Sequence, residues 1–253
     1  MKALVLLSQG RHPVSGKACL LRTEGQAARL ATTLDAAPQG LHAGPALGAV
    51  RDALGRGLVG LTHLMMAGES DPVPALAEAI REAAPDLVLA GPRGQGGEDT
   101  GLVPYALAHL LGWPLIPDAV AVLPGPQAGT LIVEQALPKG ARRRVTVRLP
   151  LLVTVHPGAP APLPLAFANV RQGAILVRPA AGPPAVIQGE ERAYRKRPKM
   201  AARAAGGTAA ERLAAATGSA TARGRVVVDA TPEAAAGEIL AFLRQIGVLK
   251  GAR

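Results

Sequence analysis

The stretch Gly91–Gly101, with the sequence GPRGQGGEDTG, holds the residue types that most directly suggest chemistry. Its glycines let a backbone approach a ligand closely. Its place after an apolar run and before a helical pattern aims free N–H groups and a helix N-terminus at one point. Such a point suits an anion, for example the phosphate of a nucleotide. Glu98 and Asp99 oppose it, because a carboxylate about 4 Å from a phosphate charge costs on the order of 1 kcal/mol even at the dielectric of water, and more when buried. Two readings follow. Either the acids turn outward to cap the next helix and the loop holds a nucleotide, or the loop is a plain structural turn.

Other reactive residue types are scattered. The five histidines, His12, His42, His63, His109 and His156, have no paired metal-ligand spacing and read as packing or surface residues. Asp118 and Glu134 have no partner for acid–base work, and no Ser/His/Asp order suggests a nucleophile. Cys19 is the only cysteine, which excludes an internal disulfide, an iron–sulfur cluster and a thiolate zinc site. Any redox role must therefore use a bound cofactor. Trp113, in a Gly-Trp-Pro turn, reads as a structural plug. Phe167 is one of five aromatics and lies in a Pro-rich stretch. It is either an exposed docking anchor or a lid packed inward on a sheet.

The elements that must position these residues follow from periodicity. Lys2–Leu7 is a continuous apolar run, as expected for a strand buried on both faces. Glu24–Leu34 carries Ala27, Leu30, Ala31 and Leu34 at helical spacing, and Gly44–Leu58 is helical in pattern. Leu61–Met66 and Asp86–Ala90 read as strands, Pro74–Ala84 and Leu102–Leu111 as helices, the second stopped by Gly112 and Pro114. This alternation predicts an α/β fold with a doubly wound, mainly parallel sheet and right-handed crossovers. From Ala119 the period changes to that of an antiparallel extension, with strands at Ala119–Leu123, Gly129–Ala136 and Arg143–Leu149. The last alternates Arg144, Thr146 and Arg148 with Val145, Val147 and Leu149. Leu151–His156 is a further apolar strand, and Ala159–Val170 is Pro-rich and irregular. After a long unpatterned stretch, Val226–Asp229 predicts a short strand. Thr231 then opens a helix with Pro232 at its first position and Glu233 in its first turn.

Composition bounds the function classes. Between Glu190 and Arg225 nine Lys and Arg face three Glu, so +6 of the net +10 lies in one segment. With aromatics at only 2% there is little to stack on bases, so this segment reads as a solvated basic linker and no nucleic-acid partner is expected. No run approaches the ~20 apolar residues of a membrane span. The start MKALVLLSQG reads as a first strand and not as a signal peptide, which makes a cytoplasmic protein the expectation.

Four stretches, in order, resemble the β-subunit family of electron-transfer flavoproteins. They are GPALGAVRDALGRGLVGLTHL (Gly44–Leu64), PDLVLAGPRGQGGEDTGLVPYALAHLLGWPLIPDAVAV (Pro85–Val122), PLPLAFANVRQGAILV (Pro162–Val177) and RVVVDATPEAAAGEILAFLRQIGVL (Arg225–Leu249). The resemblance implies a domain like that of the adenine-nucleotide α-hydrolases over residues 1–185, with a partner-recognition loop at 156–173. A basic linker at 186–224 and a strand–helix arm at 225–253 would follow, the arm docking on an α-subunit. It implies a heterodimer whose FAD is held mainly by the α-subunit, and a β-subunit that usually carries a buried AMP, or a second FAD in electron-bifurcating relatives. Leu6, Ala43, Gly91, Pro92, Arg93, Gly94, Gln95, Gly96, Gly97, Glu98, Asp99 and Thr100 would line the nucleotide, with Leu21–Glu24 closing the pocket. Phe167, Leu165 and Asn169 would dock a flavoprotein dehydrogenase. The chain would be an electron carrier without turnover of its own, passing electrons to a membrane or soluble oxidoreductase acceptor. The family's aromatic and Asn-Pro-Phe-like turn near the flavin have no counterpart at Gly10–Ser15 or Leu21–Thr23, as in a divergent subgroup. Two rival readings are a stand-alone stress-protein-like nucleotide-binding domain and a nucleic-acid binder working through Arg192–Arg203. The first has no need of a detached C-terminal arm, and the second lacks interleaved aromatics.

Overall fold

The computed structural model describes residues 1–94, 99–184 and 228–245. The chain divides into a unit Met1–Gln188 and a unit Gly189–Arg253.

The first unit begins with β1 (Ala3–Leu7), five apolar residues that are all buried. A small antiparallel hairpin follows, β2 (Gln9–Arg11) paired with β3 (Ala18–Leu20). Next come α1 (Arg22–Thr32), β4 (Gln39–Gly44), a 3-10 segment (Gly48–Arg56), β5 (Gly60–Met65), α2 (Val73–Ala83) and β6 (Leu87–Ala90). The chain continues through α3 (Val103–Leu111), β7 (Leu115–Pro124), β8 (Thr130–Ala136), β9 (Arg142–Arg148), β10 (Leu151–Val155), α4 (Phe167–Gln172) and β11 (Ala174–Pro179). Nine of these strands form one sheet in the order β11-β5-β4-β1-β6-β10-β7-β8-β9. From β11 to β7 every pairing is parallel; β7–β8 and β8–β9 are antiparallel.

The two faces of β1 explain the layering. Ala3, Val5 and Leu7 pack with Ala27, Leu30 and Ala31 of α1 and with Val50 and Leu54 of the 3-10 segment. Leu4 and Leu6 pack on the other side with Leu76 and Ile80 of α2 and Leu107 of α3. A strand covered on both faces has no polar side, so it reads as a continuous apolar run. Burying these side chains contributes roughly 1.5–3 kcal/mol for each large aliphatic residue.

Three expectations need correction. The segment Gly44–Leu58, whose spacing predicts a helix, holds the end of β4 and then 3-10 turns. Its central residues still bury Val50, Ala53 and Leu54, which is what the helical pattern reported. Second, β4 carries no apolar run in QGLHAG and is missed by pattern. Gly40 is required there by close packing: a Cβ would lie 2.9 Å from methyl groups of both Leu7 and Leu61. Third, the Pro-rich stretch Ala159–Val170 ends in a helical turn, α4, which begins at Phe167.

In the second unit the described residues form α5 (Pro232–Gln245). The Thr231 hydroxyl accepts the Ala234 N–H at 3.3 Å, and Pro232 opens the helix. Of the strand expected at Val226–Asp229, residues 226 and 227 lie outside the described residues, and Val228 and Asp229 carry no strand. The basic linker expected at 186–224 also lies outside them. No helix among the described residues is long and apolar enough to cross a membrane.

Candidate functional site

In the sheet order, β1 leads on to β4 and β5 on one side and is flanked by β6 on the other. In open α/β sheets the crevice outside the carboxyl ends of the strands, where the order reverses, is where ligands bind. A cleft of about 1180 Å³ lies there. Leu6 and Leu7 of β1, Ala43 and Gly44 of β4, Met66 after β5 and Ala90 of β6 form its floor.

The glycine-rich loop leaves β6 along one wall. Of the residues proposed from the sequence, Leu6, Ala43, Gly91, Arg93, Gly94, Asp99 and Thr100 line this one cleft. Pro92 does not line it, and Gln95, Gly96, Gly97 and Glu98 lie outside the described residues. The loop returns to α3 through Gly101, whose φ of +72° is left-handed and whose Cβ, if present, would sit 2.9 Å from the Pro92 carbonyl oxygen. The Thr100 hydroxyl accepts the Leu102 N–H at 3.2 Å, so the turn into α3 is bonded by the threonine. Asp99 faces the cleft.

Of Leu21–Glu24, the residue that lines the cleft is Glu24. It lies in the first turn of α1 and is 3% exposed. Both of its carboxyl oxygens are 3.0 Å from the Ser8 backbone N–H donor, and Oε1 is 2.6 Å from the Ser8 hydroxyl. Burial pushes the Glu24 carboxyl up to about 8, against the two Ser8 hydrogen bonds, which lower it.

His42 and His63 are directly paired in the β4–β5 register and stack with ring centroids 5.2 Å apart. His42 Nδ1 lies 2.9 Å from the Leu7 carbonyl and Nε2 3.1 Å from that of Ala46, while His63 Nε2 lies 2.9 Å from the Gly44 carbonyl. Burial, with a smaller contribution from His63, holds His42 below the usual histidine range. These rings link β4 to the end of β1 and β5 to the end of β4, and His42 also reaches Ala46 in the loop beyond β4. Nothing in their separation along the chain announces the pair, which exists through strand register alone. Among the described residues no group of three or more His, Cys, Asp or Glu is placed to hold a metal.

Leu165, Phe167 and Asn169 are not part of the cleft. They sit on and before α4, where Phe167 is 66% exposed and Leu165 44%. Phe167 is therefore no inward lid. The buried Val170 anchors this turn, and the Ala166 N–H donates to the Gly55 carbonyl at 2.8 Å.

The lining of the cleft combines a glycine-lined wall, apolar floor residues, the cations Arg11 and Arg93, and the acidic residues Glu24, Glu69, Asp71 and Asp99. Residues 21–205 match the family described as "Electron transfer flavoprotein domain". A protein of Chromohalobacter salexigens named "Electron transfer flavoprotein subunit beta" is 37% identical over 262 residues, covering 99% of this chain and 96% of that protein.

Proposed function

The chain belongs to the electron-transfer flavoprotein β-subunit family, and from that premise we propose that it works as the β-subunit of a cytoplasmic αβ heterodimer that carries electrons. In this reading it accepts electrons from one or a few flavoprotein dehydrogenases and delivers them to a respiratory acceptor, without turning over a substrate of its own. FAD, held mainly by the α-subunit, supplies the redox chemistry. The work of this chain is to bind and to orient. Its cleft takes an adenine nucleotide such as AMP, with Leu6 and Ala43 on the floor, Gly91, Arg93 and Gly94 along the wall, and Thr100 at the turn into α3. Phe167, with Leu165 and Asn169, forms the docking surface for the dehydrogenase.

One observation carries the nucleotide part of this reading: the glycine-rich loop opens into a large cleft at the strand-order reversal of a parallel sheet. The test is to co-express the chain with its α-subunit, purify the complex, denature it and analyse what is released. One flavin and about one adenine nucleotide per heterodimer are expected, and substitution of Thr100 is expected to lower the nucleotide content without removing the flavin. Flavin alone in the native complex would mean that Asp99 and its neighbours close the cleft to phosphate. A purified complex without flavin would refute the carrier reading itself.

A further inference from the structure

Glu24 stands where three elements meet. It belongs to α1, its carboxyl is bonded to Ser8 just beyond β1, and a Cβ on Gly91, just beyond β6, would come 3.3 Å from its Cγ. Ser8 in turn faces the glycine-rich loop: a Cβ on Gly94 would lie 3.5 Å from both the Cβ and the Oγ of Ser8. Both residues line the cleft. The Ser8 hydroxyl thus stands between a buried carboxyl and the wall on which an anion would rest.

One set of heavy-atom positions accommodates two proton arrangements. With Glu24 ionised, the Ser8 N–H and O–H both donate to the carboxylate. Ser8 Oγ then offers the cleft only lone pairs, with a negative charge behind them. With Glu24 protonated, its Oε1–H donates to Ser8 Oγ and its Oε2 accepts the Ser8 N–H. The Ser8 proton can then turn toward the cleft as a donor. The first arrangement repels an anion and the second binds one.

We propose that Ser8 and Glu24 form a proton-linked selectivity pair, through which binding of a phosphate-bearing ligand in the cleft is coupled to protonation of the Glu24 carboxyl. Glu24 is a positioning residue here, acting through the Ser8 hydroxyl. The inference deepens the nucleotide reading given above and rests on it. Burial supports it by keeping the proton on Glu24 up to about pH 8, so the linkage falls in an accessible range. Among the described residues, the other charged or titratable groups lining the cleft are Arg11 of the hairpin, His42 at the end of β4, Glu69 and Asp71 before α2, and Arg93 and Asp99 of the loop. A Glu24 substitution separates its proton from theirs.

The experiment is calorimetric titration of the nucleotide-depleted complex of the full-length chain with its α-subunit. AMP and uncharged adenosine are titrated in two buffers of different ionisation enthalpy. The AMP phosphate, with its second pKa near 6, is fully ionised above pH 7.5 and adds no proton change of its own. Expected for AMP are uptake of roughly half a proton or more at pH 8.5 and a Kd that rises about five- to tenfold from pH 7.5 to 9. Adenosine is expected to show neither effect. Glu24→Gln, which preserves shape and an acceptor for Ser8, is expected to abolish both the uptake and the slope. AMP binding without proton uptake overturns the inference while leaving the nucleotide reading intact, as does a pH slope that persists in Glu24→Gln. A comparison of AMP with adenosine on the unsubstituted complex decides the matter even where the variant fails to assemble, since equal slopes for the two ligands overturn it. AMP that binds at no pH overturns the nucleotide reading, and this inference with it.

Discussion

Glu24 has a second consequence at the scale of single residues. The folded protein holds its proton up to about pH 8, whereas an ordinary glutamate releases it near 4.5. Between those values folding takes up a proton, so this group makes stability fall as pH rises, and the loss levels off above about 8. The contribution amounts to at most about 1.4 kcal/mol per pH unit. Glu24→Gln is expected to flatten the dependence of the denaturation midpoint on pH between 5 and 8 by that amount. Chemical denaturation of the two proteins across this interval measures it, and parallel slopes would show that the carboxyl is not buried as described. In the sequence Glu24 is only an acid in a first helical turn, a common dipole-compensating position. Its role depends on Ser8, 16 residues away, and no local pattern connects the two. The glycine-rich loop was legible because its meaning is local: glycines between a strand and a helix. The His42–His63 stack was not, because only strand register creates it.

At the scale of elements, legibility follows the same division. β1, β6 and β10 are read from their apolar runs, since each is covered on both faces. The extension β7–β9 is read from alternation, because its outer strand is polar on one face and bonds Arg144 to Glu134 across the ladder. β4 hides because close packing requires Gly40 and a histidine occupies position 42, so neither an apolar run nor an alternation is left to read. Gly40→Val places a branched side chain where methyl groups of Leu7, Leu61 and Leu58 already lie within 3.0 Å of the Cβ position. Overpacking of this kind costs about 1–3 kcal/mol, and more where the backbone must move. A fall of that size in unfolding free energy is expected, with Gly40→Ala losing less; no loss in either variant would mean that β4 is not packed as described. The spacing of Ile239, Leu240, Leu243 and Ile246 predicts an apolar face on α5, where Ile239 and Leu240 are exposed within the described residues and Leu243 is half-buried. Ile246, which the spacing adds to this face, lies outside them. An amphipathic helix with that face uncovered suits docking on a partner. Deleting residues from Arg225 onward is expected to abolish assembly with the α-subunit in size-exclusion chromatography, and unchanged affinity of the truncated chain would assign docking to another surface.

At the scale of the whole molecule, the proposed reading assigns recognition of the electron donor to a surface separate from the cleft. Phe167, outside the cleft and 66% exposed, has the chemistry for that role. An aromatic side chain buries about 150–250 Å² on docking while fixing only two torsions. α4 holds it in place through the buried Val170 and the Ala166–Gly55 backbone bond, while most of the aromatic ring lies outside the core. Phe167→Ala is therefore expected to leave folding stability within about 0.5 kcal/mol of the parent, as for other surface substitutions, and to leave flavin content unchanged. Electron transfer from the cognate dehydrogenase is expected to fall about 10- to 100-fold, equivalent to about 1.4–2.8 kcal/mol of docking energy. Reduction of the same complex by a small chemical reductant needs no docking surface and is expected to proceed at the parent rate. The ratio of the two rates is the decisive quantity, because a folding defect would depress both together. Equal loss with both reductants would place Phe167 in support of the core or the flavin, and equal retention would move the docking surface elsewhere on the heterodimer.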